Sequence, residues 1–463
     1  MLFNSVTFVL FFLPVSLLLY YIVPHKFRNG ALLFESLVFY AFGNMRYLPL
    51  AVCLVIINYL SARAMGKLSC RPKARRFILI TAIIINIFLL IAFKYGSYLS
   101  LLLNRIAQGD ITFFDILPLG ISYYIFKLLS YLCDVYTGKC EPEKNLIDFS
   151  VYVLMYQQMI VGPIIRYVDI RDALKNRDRH VNPEEILQGT RLFVYGLAKK
   201  VILADTLGML WGQVTGTDGI GLGKASSALV WLAVLAYSLQ LYLDFSGYSE
   251  MSNGLSYIMG LSCKQNFDYP YLACGVTDFW RRWHITLTEW FRDYVYIPLG
   301  GNRKGVIRHI CNMLVVWLIT GIWHGHTVNF LIWGMYYFVL LVLEKYVLKT
   351  VIERHRILGH IYTLFIVVVG WGIFAADGTQ IAVLPLLNRM FVFSSGVSAL
   401  YFVRCYGVTL ALSVVVSSGF YKKLQKRIEN NRWVETLWLG FIFLLSLAYV
   451  VGSTGWTALY AGF

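Results

Sequence analysis

The sequence predicts an all-α polytopic membrane protein. Of its 463 residues, 58% are hydrophobic and only 14% are charged, and the mean hydropathy is +0.63. Soluble domains carry about 25% charged residues. Four charge-free runs are near or above the roughly 20 residues that a helix needs to cross a bilayer, namely residues 5–24, 77–93, 225–243 and 437–463. Because lipid offers the backbone no hydrogen-bond partner, helices are expected throughout. We expect about 10–13 transmembrane helices in a single domain, residues 1–463, without an internal repeat.

The positive charge is explained by membrane topology. Lys and Arg number 41 against 25 Asp and Glu, a net charge of +16, and much of the surplus lies in short stretches. We assign the strongest of these to cytoplasmic loops, at residues 63–76, 345–356 and 422–432. Nucleic-acid binding is therefore not needed to explain the charge. Three predicted spans (5–24, 30–48 and 49–62) precede the first basic stretch, which places the N-terminus outside the cytoplasm. The first run lacks a basic n-region and is interpreted as a retained span.

Three segments carry polar residues at predicted membrane depth. Residues 117–136 contain Lys127, which either faces the protein interior or snorkels to the interface. Residues 151–167 are interrupted by Gly162-Pro163 and are expected to kink or re-enter. Residues 243–260, which follow the predicted span 225–243, contain Asp244, an acid that needs either an arginine partner or a functional role.

Residues 280–295 predict one amphipathic helix in the membrane interface. At about 100° per residue, the apolar residues fall within one arc. That arc comprises Trp280, Trp283, His284, Leu287, Trp290, Phe291, Tyr294 and Val295. His284 is the exception on this face. A second histidine, His324, follows the uncharged run 310–323 and is also placed at membrane depth.

The sequence favours general-base catalysis by histidine. The chain has no GxSxG, GxxxxGK[ST] or HExxH motif, which disfavours serine catalysis, ATP-driven transport and zinc hydrolysis. A neutral histidine can act as a general base. His324 and His326 are two residues apart and would face opposite sides of a helix, so one of them can face a cavity.

Charged residues around the first histidine suggest a ligand. The basic edge would suit a phosphate-bearing ligand and anionic lipid headgroups equally well. It comprises Arg281, Arg282, Arg292, Arg303 and Lys304. Asn302 follows Gly300-Gly301, which favours a turn over a ligand role. The eight cysteines show no zinc-ligand spacing, so no metal and no bound cofactor is predicted.

Several blocks of sequence together resemble the membrane-bound O-acyltransferase family, in its bacterial branch that O-acetylates alginate and other cell-surface polymers. The blocks occur in order over about residues 30–335. They are LLFESLVFYAFGNMRYLPL, LPLGISYYIFKLLSYLCDVYTG, QQMIVGPIIRY, LDFSGYSEMSNGL, NFDYPYLACGVTDFWRRWHITLTEWFRDYVYIPLGGNR and GIWHGHTVNFLIWG. The chain departs from the branch at Ile125-Phe126-Lys127 and at Tyr156-Gln157.

The resemblance implies a funnel-like helical core with re-entrant and interfacial helices. It implies that His324 is catalytic and that His284 is a second functional position. The acyl group would come from a cytoplasmic thioester, acyl-CoA or an acyl carrier protein. It would move toward an extracytoplasmic hydroxyl, often through a partner protein.

Joining the two lines of reasoning, we hypothesise that His324 orients or deprotonates the attacking hydroxyl. His284 would then position the thioester or the tetrahedral oxyanion. The predicted substrate-binding residues are Trp283, Arg281, Arg282, Arg292, Asp244 and Asn302. Two alternatives remain open, a lipid or polysaccharide translocation subunit without acyl transfer and a structural scaffold for a polymer-export complex.

Overall fold

The chain folds into α-helices. The computed structural model describes residues 1–107, 117–176, 179–216, 219–261, 263–376 and 381–452. Across these ranges there is no β-strand, only an isolated bridge between Ala225 and Val397. The α-helices of the described residues are α1 Leu13–Ile22, α2 Arg28–Asn44, α3 Leu48–Lys67, α4 Pro72–Ala107, α5 Ile121–Thr137, α6 Leu146–Leu154, α7 Tyr167–Lys175, α8 Pro183–Ala198, α9 Asp205–Thr215, α10 Ser227–Ile258, α11 Val276–Arg282, α12 Ile285–Phe291, α13 Val306–His324, α14 Val328–Leu343, α15 Lys349–Arg354, α16 Arg356–Ala375, α17 Val383–Phe391, α18 Ala399–Val416, α19 Gly419–Glu429 and α20 Arg432–Gly452. The predicted all-α class is confirmed.

Eight helical runs in the described residues are long and apolar enough to cross a membrane. They are His25–Lys67, Pro72–Ile106, Ser227–Ile258, Val306–His324, Val328–Arg354, Arg356–Ala375, Ala399–Val416 and Arg432–Gly452. Large apolar side chains such as Phe88 and Leu444 are 66% exposed on them, as lipid-facing residues should be. The protein is therefore a multi-pass membrane protein. The run His25–Lys67 contains both α2 and α3, which lowers the count relative to the predicted 10–13 spans.

The described chain divides into two compact units, each discontinuous in sequence. The first comprises Met1–Phe193 with Tyr248–Gln265, and the second comprises Val194–Gly247 with Asn266–Phe463. In the first unit Lys127 is buried, and its Nζ donates to the carbonyl of Tyr152 and to Oε1 of Gln158, both at 3.1 Å. Lys127 thus faces the protein interior and does not snorkel.

The interrupted segment of the first unit is confirmed as broken. Helix α6 ends at Leu154 and α7 begins at Tyr167, with only one 3₁₀ turn, Tyr156–Gln158, between them. The glycine of the predicted break, Gly162, has φ of 156° and a Cβ there would lie 2.9 Å from Ser252 Oγ. Residues with side chains are therefore disfavoured at this break.

In the second unit, α13 and α14 pack closely through glycines. A Cβ on Gly321 would lie 2.7 Å from the carbonyl oxygen of Phe330, and a Cβ on Gly334 would lie 2.6 Å from that of Trp317. Small residues at such crossings allow two backbones to approach. This contact positions the end of α13, where His324 lies.

The basic stretches are largely helical, which corrects their prediction as loops. Residues 345–356 continue from α14 through a π-helical turn, Glu344–Leu348, into α15. Residues 422–429 belong to α19. Lys and Arg are good helix formers, so clustered positive charge marks a membrane side without marking a loop.

Candidate active site

The predicted interfacial helix is interrupted at His284. Helix α11 ends at Arg282, Trp283 is extended with φ −99° and ψ 127°, and His284 adopts the left-handed conformation with φ 42° and ψ 55°. Helix α12 then begins at Ile285. The prediction of one continuous helix over residues 280–295 is therefore wrong. A left-handed histidine is costly by about 1–3 kcal/mol and persists only where its surroundings impose it.

Asn266 supplies those surroundings. Its carbonyl oxygen accepts from the backbone N–H of Ile285 at 2.9 Å. Its side-chain Oδ1 accepts from the hydroxyl of Thr286 at 2.9 Å and from the Thr286 backbone N–H at 3.4 Å. The same Oδ1 lies 3.0 Å from Nδ1 of His284. One buried asparagine thus satisfies the first free N–H groups of α12 and holds the imidazole.

The His284 ring lies in an apolar setting. It is 3% exposed and contacts Phe245, with ring centroids 4.6 Å apart, and Phe267 at 6.5 Å. His284 lies outside the eight candidate spans. Burial lowers the pKa of His284 from its ordinary value of 6.5 to about 3, because desolvation penalises the imidazolium. The ring is therefore neutral at physiological pH.

His324 is the last residue of α13. It is 5% exposed and packs among aromatic rings, with centroid distances of 4.6 Å to Trp323, 5.1 Å to Trp333 and 5.0 Å to Phe374. The helix ends because the chain turns at Gly325, where a Cβ would collide with the ring of Phe330. His326 lies beyond this turn and is exposed. As predicted, only one of the two neighbouring histidines faces the interior.

Both buried histidines line the same cavity of the second unit. Its volume is about 790 Å³, within the range of about 300–1,000 Å³ that is usual for small-molecule sites. The predicted residues that line it are His284, His324, Trp283, Arg281 and Arg292. The structure therefore brings together two histidines that are forty positions apart in the sequence. The roles assigned to these residues stay predictions.

Tryptophans from three helices form one wall of the cavity. Trp280 of α11, Trp317 of α13 and Trp333 of α14 pack against one another with centroid separations of 5.0 to 5.8 Å. Trp283 also lines the cavity, but it is 1% exposed and packs 4.7 Å from Trp371. This aromatic contact packs α11, which precedes His284, against α13, which ends at His324.

The lining of the cavity carries both signs of charge. Its basic side chains are those of Arg281, Arg292, Lys345 and Lys349, and its acidic ones are those of Asp278, Glu289, Glu344 and Glu353. Lys345 Nζ lies 3.2 Å from Nε2 of His309, and Arg292 pairs with the neighbouring Asp293 at 2.7 Å. The basic residues come from the predicted basic edge and from the basic stretch 345–356.

Glu344, one of the acids that line the cavity, forms hydrogen bonds to the start of α11. Its carboxylate accepts from the backbone N–H groups of Val276 and Thr277, the latter at 2.9 Å. These are the first two residues of α11, where a carboxylate is favoured by the helix dipole. A side chain at the end of α14 thus fixes the start of the helix that precedes His284.

Three other predicted binding residues lie elsewhere. Arg282 pairs with Asp278 at 3.0 Å and borders a neighbouring hollow of about 680 Å³. Asp244 is buried and pairs with Lys200 at 2.6 Å, so its partner is a lysine where an arginine was considered. Asn302 is exposed on the turn before α13. In the described part of the chain, none of the three is among the residues that line the larger cavity.

The sequence reasoning missed Asn266 and Lys345 as site residues. Asn266 lies in the NFDYP segment, and the only sequence signal for it is that this segment belongs to a block that resembles the family. Lys345 was counted with a cytoplasmic loop. Neither position follows from helical periodicity, because both reach the site through tertiary contacts.

Comparison with known proteins identifies the family of the chain. The model of the MBOAT, membrane-bound O-acyltransferase family, matches residues 142–386, a range that includes both histidines. The chain is 37% identical to the "Probable alginate O-acetylase AlgI" of Pseudomonas putida, over 85% of this chain and 81% of that protein. It is 32% identical to the "Peptidoglycan O-acetyltransferase" of Helicobacter pylori, over 84% of this chain and 80% of that protein.

A more distant relative extends the comparison. The "Teichoic acid D-alanyltransferase" of Bacillus subtilis is 28% identical over 60% of this chain and 70% of that protein. The family match covers more than half of the chain, and the two nearer similarities span most of it. The chain belongs to the membrane-bound O-acyltransferase family and is an O-acyltransferase of the membrane.

Proposed function

We propose that this enzyme moves an acetyl group from a cytoplasmic thioester toward a hydroxyl of an extracytoplasmic polysaccharide or cell-wall polymer. The observation that carries the proposal is the cavity itself. Two buried histidines, His284 between α11 and α12 and His324 at the end of α13, border one space that basic side chains also line. Acyl transfer to a hydroxyl needs a group that accepts or orients the hydroxyl proton and a confined place for the thioester.

The basic residues of the lining support a phosphate-bearing acyl donor. Acyl-CoA and acyl carrier proteins both present their thioester on a phosphorylated arm, and Arg281, Arg292, Lys345 and Lys349 offer charge to such a phosphate. The positive-inside rule assigns residues 345–356 to the cytoplasmic side. The acyl donor would therefore enter beside Lys345 and Lys349.

The relatives' names support an acetyl group and a polymer acceptor. Two relatives above 30% identity are named for O-acetylation of alginate and of peptidoglycan, whereas a relative named for D-alanyl transfer is 28% identical. The polymer lies outside the cytoplasm in this proposal, so an extracytoplasmic partner protein completes the transfer. The N-terminus would lie on that same outer side.

The test is acetyl transfer by the purified protein in nanodiscs. Radiolabelled acetyl-CoA and acetylated carrier protein serve as acyl donors, with hydroxyl-bearing oligosaccharides and candidate partner proteins as acyl acceptors. The His324→Ala variant should lose about 10²–10⁴-fold in kcat, the usual share of a positioned acid or base. His326→Ala is the matched control, because this histidine is exposed, and it should retain transfer.

Other outcomes separate the alternatives. Equal activity of the His324→Ala and His326→Ala proteins would contradict the proposed site. Loss of the His324→Ala protein from the membrane, instead of its turnover alone, would assign this histidine a structural role. Movement of polymer or lipid without consumption of any thioester would replace the proposal with translocation.

A further inference from the structure

The hydrogen bonds of Asn266 determine which nitrogen of His284 carries the proton. The backbone N–H of Thr286 can only donate, and it points to Oδ1 of Asn266, so the asparagine atom at that place is the oxygen. The same oxygen lies 3.0 Å from Nδ1 of His284. Because oxygen can only accept there, Nδ1 must donate and therefore carries the proton.

The other ring nitrogen then has a lone pair. A neutral imidazole holds one proton, and the hydrogen bond at one nitrogen fixes the state of the other. Nε2 of His284 is buried and forms no hydrogen bond within the described chain. His284 lines the cavity, whereas Asn266 is not among the lining residues. Nε2 is thus the ring nitrogen whose lone pair the described chain leaves without a donor.

We propose that Asn266 is a positioning residue that fixes the Nδ1–H tautomer of His284, so that Nε2 accepts a hydrogen bond from an N–H or O–H group of a substrate. This inference rests on the proposed acyl transfer and sharpens it. A tetrahedral oxyanion needs hydrogen-bond donors, and Nε2 in this state cannot donate. Of the two roles predicted for His284, this proposal therefore keeps positioning of the thioester and not that of the oxyanion.

The first experiment observes the tautomer directly. The chain has eight histidines, and ¹⁵N-histidine labelling followed by solid-state NMR in lipid distinguishes protonated from unprotonated ring nitrogens. The His284 signals are assigned by their loss in His284→Gln. We expect a protonated Nδ1 and an unprotonated Nε2, with this pattern lost in Asn266→Leu. A protonated Nε2 in the unmodified protein would overturn the proposal, and this readout needs no turnover.

The second experiment compares matched variants in the transfer assay. Asn266→Leu should lower kcat/KM by about 10–100-fold, by analogy with the loss of residues that orient metal-binding histidines. Thr286→Val is the control, because it removes the 2.9 Å bond to the same Oδ1 but leaves the 3.0 Å contact of His284. It should stay near the unmodified rate. Asn266→Asp keeps an oxygen for Nδ1 and should recover part of the activity lost in Asn266→Leu.

The kinetic pattern identifies the source of the substrate hydrogen. If the N–H lies on the acyl donor, KM for acetyl-CoA rises in Asn266→Leu. If the O–H belongs to the acyl acceptor, transfer falls while hydrolysis of acetyl-CoA is unchanged. Equal losses in Asn266→Leu and Thr286→Val would mean that Asn266 acts through the Thr286 hydroxyl and not through His284, and would refute its positioning role.

Discussion

Replacement of Gly334 by alanine tests whether close packing of α13 and α14 stabilises the site. The new Cβ would lie 2.6 Å from the carbonyl oxygen of Trp317, about 0.8 Å inside the 3.4 Å at which ordinary contact begins. A main-chain oxygen cannot rotate away, so the two helices must separate. Overpacking of this kind costs about 1–3 kcal/mol, and the rigid backbone places the cost here at about 2–3 kcal/mol.

Gly440→Ala is the matched control for this prediction. Gly440 lies within α20, and a Cβ there would meet no atom within 4 Å. Both substitutions gain the same helix propensity, up to about 1 kcal/mol, so their difference isolates the packing cost. We expect Gly334→Ala to be less stable than Gly440→Ala by about 2–3 kcal/mol, measured by denaturation in detergent micelles. Equal stability of the two variants would refute the argument from close helix packing.

Two further predictions concern buried charge. Lys200→Met removes the ammonium group that lies 2.6 Å from each of two carboxylates, those of Asp205 and Asp244. This loss should destabilise the protein by about 3–5 kcal/mol. Unchanged stability would mean that the carboxylates are protonated. The lowered pKa of His284 predicts that stability falls as the pH falls from about 6.5 toward 3, because only the unfolded chain takes up that proton. The slope should approach 1.4 kcal/mol per pH unit and should shrink in His284→Gln, and equal slopes in the two proteins between pH 7 and 5 would contradict it.

Much of the fold follows from the sequence because the bilayer imposes simple rules. In the described residues the long charge-free runs are largely helical, the chain breaks around Gly162-Pro163, and Lys127 is buried with hydrogen bonds to Tyr152 and Gln158. Each of these predictions depends on local composition and on the cost of polar groups in lipid. Neither quantity requires knowledge of distant contacts.

The local geometry of the site does not follow from such rules. Helical periodicity over residues 280–295 predicts one helix, because most of the range lies in α11 and α12. The left-handed conformation of His284 between them is imposed by Asn266, eighteen positions upstream. The partner of Asp244 also depends on the fold. An acid at membrane depth suggests an arginine partner, but only the fold shows that the partner is Lys200.

The tryptophan wall contributes a near-ultraviolet circular dichroism signal to the folded site. Indole rings 5.0 to 5.8 Å apart interact electronically, and their fixed mutual orientation gives a near-ultraviolet circular dichroism signal that isolated indoles lack. Helices in a membrane keep their far-ultraviolet signal when tertiary packing is lost. Separation of α11, α13 and α14 would therefore weaken the near-ultraviolet signal and keep the far-ultraviolet signal. The enzyme carries its own optical reporter of whether its two histidines face a common cavity.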